Sequence, residues 1–256
     1  MAPRNTKPQH RVSKRAPSRK NTTPAAPRPP ATNGTDNALY FWRETDPATG
    51  YLSQWYPCAF TDDTDPSIVY QTAEHYMMYQ KALLFSAPLS LTTTILDAPH
   101  PRTARSLGRT VPAFSDAVWD AHRAAIVRRG NLLKFTRPAD GCADGFWRIA
   151  SGSVSSTATE KVVGTASLTL RELLLGTGDR EIVEASPRDR IWGIGFGAAN
   201  AARVGRERWG LNLLGKALVE VRGVLRKMEG EKQNAGGEDG EMAMEDERGA
   251  EEMEKK

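Results

Sequence analysis

Thr72-Ala73-Glu74-His75-Tyr76-Met77-Met78-Tyr79-Gln80-Lys81-Ala82-Leu83-Leu84-Phe85 is the stretch on which the fold turns. Thr72 supplies an N-cap hydroxyl, and the thirteen residues after it hold no proline or glycine, so the segment is expected to be helical to about Phe85. Glu74, Met78 and Lys81 stand at i, i+4 and i+7, which puts a carboxylate and an amine on one face around a methionine. A solvent-facing Glu and Lys is the ordinary outcome of such spacing. Here Tyr76, Met77, Tyr79, Leu83, Leu84 and Phe85 leave little of the helix polar. Glu74 and Lys81 are therefore expected beside an apolar wall or in a cleft. Desolvation and mutual pairing there would shift both titrations, as an acid, base or amine nucleophile requires.

On either side of this helix the elements are short. Tyr40-Phe41-Trp42 is expected to be extended and to lead through the turn at Asp46-Pro47-Ala48-Thr49-Gly50 into a hairpin with residues 52–57. Ile68-Val69-Tyr70 is a candidate strand, and Pro88 opens a helical stretch ending near Ala98. Ser115 caps an amphipathic helix expected to stop at Gly130. Residues 138–167 turn to Gly, Ser, Thr and Ala, the composition of a surface insertion. Thr169 caps Leu170–Leu175, residues 181–185 and 191–195 are strand-like, and a last helix from about Asn212 to Met228 aligns Leu214, Leu218, Val221 and Leu225. Dominant helices with short strands indicate an α+β fold with a small β-sheet, not a repeating βαβ array.

Charge divides the 256 residues into three. Residues 1–38 carry eight Lys/Arg against one acid, seven prolines and no Phe, Trp or Tyr; residues 229–256 carry eleven Asp/Glu against four Lys/Arg, again without an aromatic ring. Both arms are expected to be disordered, because neither has the apolar surface to offset the entropy of ordering. The core, 39–228, keeps every aromatic residue and both cysteines and has a net charge of +4, with an excess of arginine that suits a phosphate-bearing ligand. The basic arm admits a nuclear-import or nucleic-acid contact around Lys14, Arg15, Arg19 and Lys20, beside the plain reading of a solvated extension. No stretch reaches eighteen apolar residues, the N-terminus lacks the apolar run of a secretory signal, and Cys58 and Cys142 are too few for a disulfide framework. An intracellular protein, cytoplasmic or nuclear, without membrane contact is expected. His10, His75, His100 and His122 show no zinc-ligand spacing, so neither metal nor cofactor is expected.

A second chemical segment is Glu184-Ala185-Ser186-Pro187-Arg188-Asp189-Arg190-Ile191-Trp192-Gly193-Ile194-Gly195. Acids flank a proline turn, followed by Trp and glycines that permit close backbone approach; a hairpin with a core Trp is the alternative. The glycines do not form a dinucleotide fingerprint.

Together the motifs resemble one family. Leu52-Ser53-x-x-Tyr56-Pro57, the helix from Thr72 to Ala82, Leu107-Gly108-Arg109, Trp119, Gly130-Asn131 with Lys134-Phe135, and Leu173-Leu174-x-x-Thr177-Gly178 follow the order of the NADAR, or YbiA-like, family. So do Glu184 to Gly195 and Trp209-Gly210-x-Asn212-x-Leu214-Gly215, over roughly residues 39–226. The family usually has Asn-Phe where this chain has Gln54-Trp55. The resemblance implies a single α+β domain that cleaves N-glycosidic bonds of ribosylated bases. Some members are similar to enzymes acting on phosphoribosylamino-pyrimidines of the riboflavin pathway, and others remove ADP-ribose from guanine. Carried over by motif, Glu74, Lys81 and Asp189 would be catalytic. Trp55, His75, Arg109, Trp119, Asn131, Lys134, Glu184, Trp192 and Gly193 would bind substrate, a ribosylated nucleotide or an ADP-ribosylated nucleic acid. A non-catalytic ADP-ribose or nucleotide-binding module is the alternative.

Overall fold

The computed structural model describes residues 37–139, 149–150 and 167–231. The basic arm up to residue 36, most of the 138–167 stretch and the acidic arm beyond 231 lie outside the described residues, and with them the expectations made for those segments. Within the described residues the chain is helix-rich with short strands, as the pattern of elements indicated.

Helix α1, Ala73–Leu84, is the centre of the body. Thr72 caps it, its Oγ1 accepting from the His75 amide at 3.4 Å. Residues 73–78 are all buried, so this helix carries no single apolar stripe and is packed on all sides at its N-terminal half. Around it lie α2 (Leu89–Leu96), α3 (Pro101–Gly108) and α4 (Asp116–Thr136). Two glycines set the spacing of these contacts. A Cβ on Gly108 of α3 would stand 2.1 Å from Met78 Sδ, and one on Gly130 of α4 would stand 2.4 Å from the Tyr76 ring. Gly130 thus does not end α4, as expected from its usual helix-stopping role; it lets the helix pass against α1 and continue to Thr136. Helix α3 was not foreseen, although Pro101 at its first turn and the His100 cap (Nδ1 accepting from Arg102 N at 3.0 Å) are ordinary start signals.

Strand β1, Ala38–Phe41, does not form a hairpin with residues 52–57. Its partner is the distant Glu181–Glu184, in parallel register from Ala38↔Glu181 to Phe41↔Glu184. A parallel pair needs a crossover, and here the helices α1–α4 supply it. The turn at Asp46 does form, Oδ1 accepting from the amides of Ala48 and Thr49, but it delivers the chain into a 3-10 turn at Gly50–Leu52 and a buried loop. Strands β2 (Phe60–Thr61) and β3 (Val69–Tyr70) pair antiparallel, as do β4 (Ile149–Ala150) and β5 (Ser167–Leu168). Helix α5, Leu170–Leu175, begins with a full capping box between Thr169 and Glu172, and β6 is Glu181–Glu184.

Residues 191–195 are not a strand. They form an irregular run hydrogen-bonded on two sides, Ile194 N to Glu184 O (3.0 Å) and Gly210 N to Ile194 O (2.9 Å). The short helix α6, Ala198–Ala201, follows. The last helix, α7, spans 213–231, and its stripe Leu214, Leu218, Val221 and Leu225 is at most 1% exposed. Each such side chain contributes about 2 kcal/mol of burial to the core under β1, β6 and α1.

Candidate active site

The carboxyl ends of β1 and β6, one face of α1 from Glu74 to Lys81, helix α3, the start of α4 and the loop 53–55 enclose one cavity of about 650 Å³. Its size suits a nucleotide-scale ligand. Glu74, Lys81, Asp189, Trp55, Arg109, Trp119, Glu184 and Trp192, eight of the twelve residues expected at the site, line it.

Glu74 sits in the first turn of α1 and is 4% exposed. Its amide donates to Gln54 O at 3.0 Å, the Trp55 indole hydrogen-bonds its carboxyl group, and Oε1 has no partner. Burial pushes its pKa up to about 7; Arg105 and the Trp55 bond hold it back, while the negative charge of Asp189 adds to the rise. Glu184, the last residue of β6, is half-buried and its Oε2 is likewise unpartnered. Burial, then Asp189 and Glu74, raise Glu184 to about 8, against the pull of Arg105. Burial and the Asp189 charge thus act on both carboxyl groups, and the Glu74 charge adds to the rise of Glu184, so Glu184 holds its proton to the higher pH.

Lys81 lies two turns along α1 from Glu74. Its Nζ donates to Gly108 O at 2.8 Å and stands 4.1 Å from the Phe114 ring centroid and 5.6 Å from that of Trp119. Burial lowers its pKa, Arg109 lowers it further, and Asp116 opposes them. Asp189 uses Oδ1 to accept from the amides of Ile191 (2.9 Å) and Trp192 (2.8 Å), which fixes the Trp192 backbone at the cavity wall.

Four expected residues stand behind the wall instead of lining it. His75 is buried, with Nδ1 on Thr72 Oγ1 (2.8 Å) and Nε2 on Ala98 O (2.9 Å). Asn131 donates from Nδ2 to Gln54 Oε1 and Val127 O, each at 2.9 Å. Lys134, 3% exposed, donates to Tyr51 O (2.7 Å) and Ser53 O (2.9 Å). Gly193 passes so close to β6 that a Cβ would lie 2.6 Å from Glu184 O. These residues support the backbone segments that carry Trp55, Glu74, Glu184 and Trp192.

Sequence reasoning did not single out Arg102 and Arg105 of α3, nor Trp42, Arg43, Glu44 and Thr45 beyond β1, all of which line the cavity. Arg102, Arg105 and Arg109 stand at i, i+3 and i+7, a helical spacing that was available as a signal. With Arg43 and Arg188 they make an exposed arginine rim above the carboxyl groups. Among the described residues, no group of three or more His, Cys, Asp or Glu could hold a metal ion, and no helix is long and apolar enough to cross a membrane.

Comparison with known proteins gives a consistent set of matches. The NADAR domain profile matches residues 40–226. A protein of Acanthamoeba polyphaga mimivirus named as an N-glycosidase is 34% identical over 193 residues, 73% of this chain and 96% of that protein. Another named N-glycosidase, from Nostoc punctiforme, is 31% identical over 191 residues, covering 74% and 94%. Protein irg-1 of Caenorhabditis elegans is 26% identical over 185 residues, 67% of this chain and 73% of its own. The NMR structure of the Escherichia coli protein YbiA shares the fold, with a TM-score of 0.51 at 22% identity over 76% of this chain and 89% of that one.

Proposed function

This chain belongs to the NADAR domain family, and from that premise and the chemistry of the cavity we propose that it is an N-glycosidase that hydrolyses the bond between ribose and a nitrogenous base. The observation that carries the reading is the pair Glu74 and Glu184, which line one arginine-rimmed cavity and each keep one buried, unpartnered carboxyl oxygen. Breaking a C1′–N bond develops positive charge on the sugar and negative charge on the departing nitrogen. Glu184, which holds its proton to the higher pH, donates it to the leaving base. Glu74, steadied by Trp55 and Arg105, carries the negative charge that stabilises the oxocarbenium ion and orients water.

Lys81 offers a covalent variant. Its amine, neutral more readily than an exposed lysine, adds to C1′ of the ring-opened ribosyl imine; the base leaves as its amine, and water then hydrolyses the lysine imine to release the sugar. Trp119 and Trp192 flank the same space and suit stacking on the base, while Arg102, Arg105 and Arg109 suit phosphate. The substrate classes proposed are ADP-ribosylated guanine and a phosphoribosylamino-pyrimidine. An intracellular setting, cytoplasmic or nuclear, and a nucleic-acid contact through the basic arm belong to the same proposal.

The test is to incubate the full chain with each substrate class and follow free base and free sugar. Release from one class identifies the substrate. Tight binding of ADP-ribose without release from either would make the protein a binding module and overturn the enzymatic reading.

A further inference from the structure

Phe41 of β1 lies opposite Glu184 of β6, and Ala185 N donates to Phe41 O at 2.7 Å, so the two parallel strands run out at the same edge. Beyond that edge both chains turn into the cavity, one delivering Trp42 and Arg43, the other Ser186 and Arg188. Carboxyl ends of parallel strands are where such folds take ligands, because the diverging loops leave a crevice between them. The β6 side of this crevice carries Glu184. The β1 side has no part in the bond-breaking scheme above.

Trp42 is unusual for its position. Phe41 before it is 3% exposed, yet the larger indole of Trp42 remains 42% exposed at the cavity. The Arg43 guanidinium lies over its ring, 4.5 Å from the centroid. The cavity's other tryptophans have internal ties: Trp55 bonds Glu74 and meets His100 edge-on at 5.9 Å, Trp119 faces Lys81, and Trp192 is held through Asp189. An indole backed by a cation on one face, with much of its surface open to a nucleotide-sized cavity, is a platform for a planar ring.

We propose that Trp42, backed by Arg43, is a stacking subsite for a second nucleobase, distinct from the base whose N-glycosidic bond is cut. The cavity then takes a ribosyl group that itself carries a nucleotide, in preference to one that ends in a simple phosphate. Which ring is the second one rests on the N-glycosidase reading; the stacking itself does not.

Calorimetric titration of the full chain with AMP and with ribose 5-phosphate tests this without reading turnover. The wild-type protein is expected to bind AMP about tenfold more tightly than ribose 5-phosphate. Trp42→Ala should lose about that factor for AMP and keep its ribose 5-phosphate affinity within about twofold. Trp42→Phe, which keeps a ring, should retain most of the AMP preference. Equal affinity of the wild type for both ligands, an unchanged AMP affinity in Trp42→Ala, or an equal loss for both ligands would each overturn the subsite. A chain that shows the expected pattern but cleaves no ribosylated base keeps the subsite and loses the enzymatic reading.

Discussion

Among single residues, Glu184 and Glu74 are the pair on which the proposed acid and base roles rest: the charges of Asp189 and Glu74 press on Glu184, whereas the Trp55 bond steadies the Glu74 charge. Both rise, to about 8 and about 7, because burial and the Asp189 charge oppose ionisation, with the Glu74 charge acting further on Glu184. A reaction needing one proton on the pair should give a bell-shaped kcat/KM profile with its maximum between these values. Glu184→Gln, which cannot give up a proton, should lower kcat by about 10²- to 10⁴-fold and remove the alkaline limb. A variant with wild-type kcat would take Glu184 out of the chemistry. Lys81 separates the two routes. Borohydride added during turnover should trap a sugar adduct on Lys81 if the amine bonds C1′, detectable by mass spectrometry. An untrapped enzyme that Lys81→Ala still inactivates would leave the amine a hydrogen-bonding role, and full activity in Lys81→Ala would exclude both.

Among elements, the relation of α4 to the loop 51–55 governs how Glu74 is presented. Asn131 and Lys134, one turn apart on α4, grip Gln54 and the carbonyls of Tyr51 and Ser53; Gln54 O in turn accepts from the Glu74 amide, and Trp55 bonds its carboxyl group. Lys134 therefore positions the site without touching its cavity. Lys134→Met leaves two buried carbonyls without their donor and should destabilise the fold by about 2–4 kcal/mol, visible in urea unfolding. Its kcat should fall as well, with the acid limb of the pH profile moved upward as Trp55 lets go of Glu74; an unmoved profile would confine Lys134 to stability. Gly130→Ala pushes a methyl group into the Tyr76 ring and should cost about 1–3 kcal/mol. Local signals had located most of these elements: the Thr72 cap, the Thr169–Glu172 box and the α7 stripe each lie within a few residues of what they specify. The β1–β6 pairing was hidden because no local pattern distinguishes a strand that waits for a partner 143 residues away from one that turns back at once. Gly130 misled for a related reason: whether a glycine ends a helix or admits a neighbour is decided by the neighbour. The same distinction runs through the site, where motif and spacing found Glu74, Lys81 and Glu184 but could not separate residues that line the cavity from Lys134, His75 and Asn131, which brace it from behind.

For the molecule as a whole, the carboxyl pair makes stability depend on pH in a direction opposite to an ordinary salt-bridged acid. Glu74 and Glu184 start from 4.5 when exposed and are raised on folding. Between those limits the folded chain holds protons that the unfolded chain has lost, so their contribution is full below about pH 4.5 and declines as pH rises to about 8. His75 and Lys134, both lowered by burial, act in the reverse sense, favouring the folded state as they lose their protons. Wild-type melting alone mixes these effects, whereas its difference from Glu184→Gln isolates the carboxyl group. At pH 5 the variant and the wild type should melt within about 2 °C of each other, and at pH 9 the variant should melt higher by roughly 5 °C or more, since each pKa unit is worth about 1.4 kcal/mol. Equal melting at pH 9, or a wild type that gains on the variant with rising pH, would mean that Glu184 ionises freely in the fold. The cavity would then lack the strained proton on which its assignment as the acid depends.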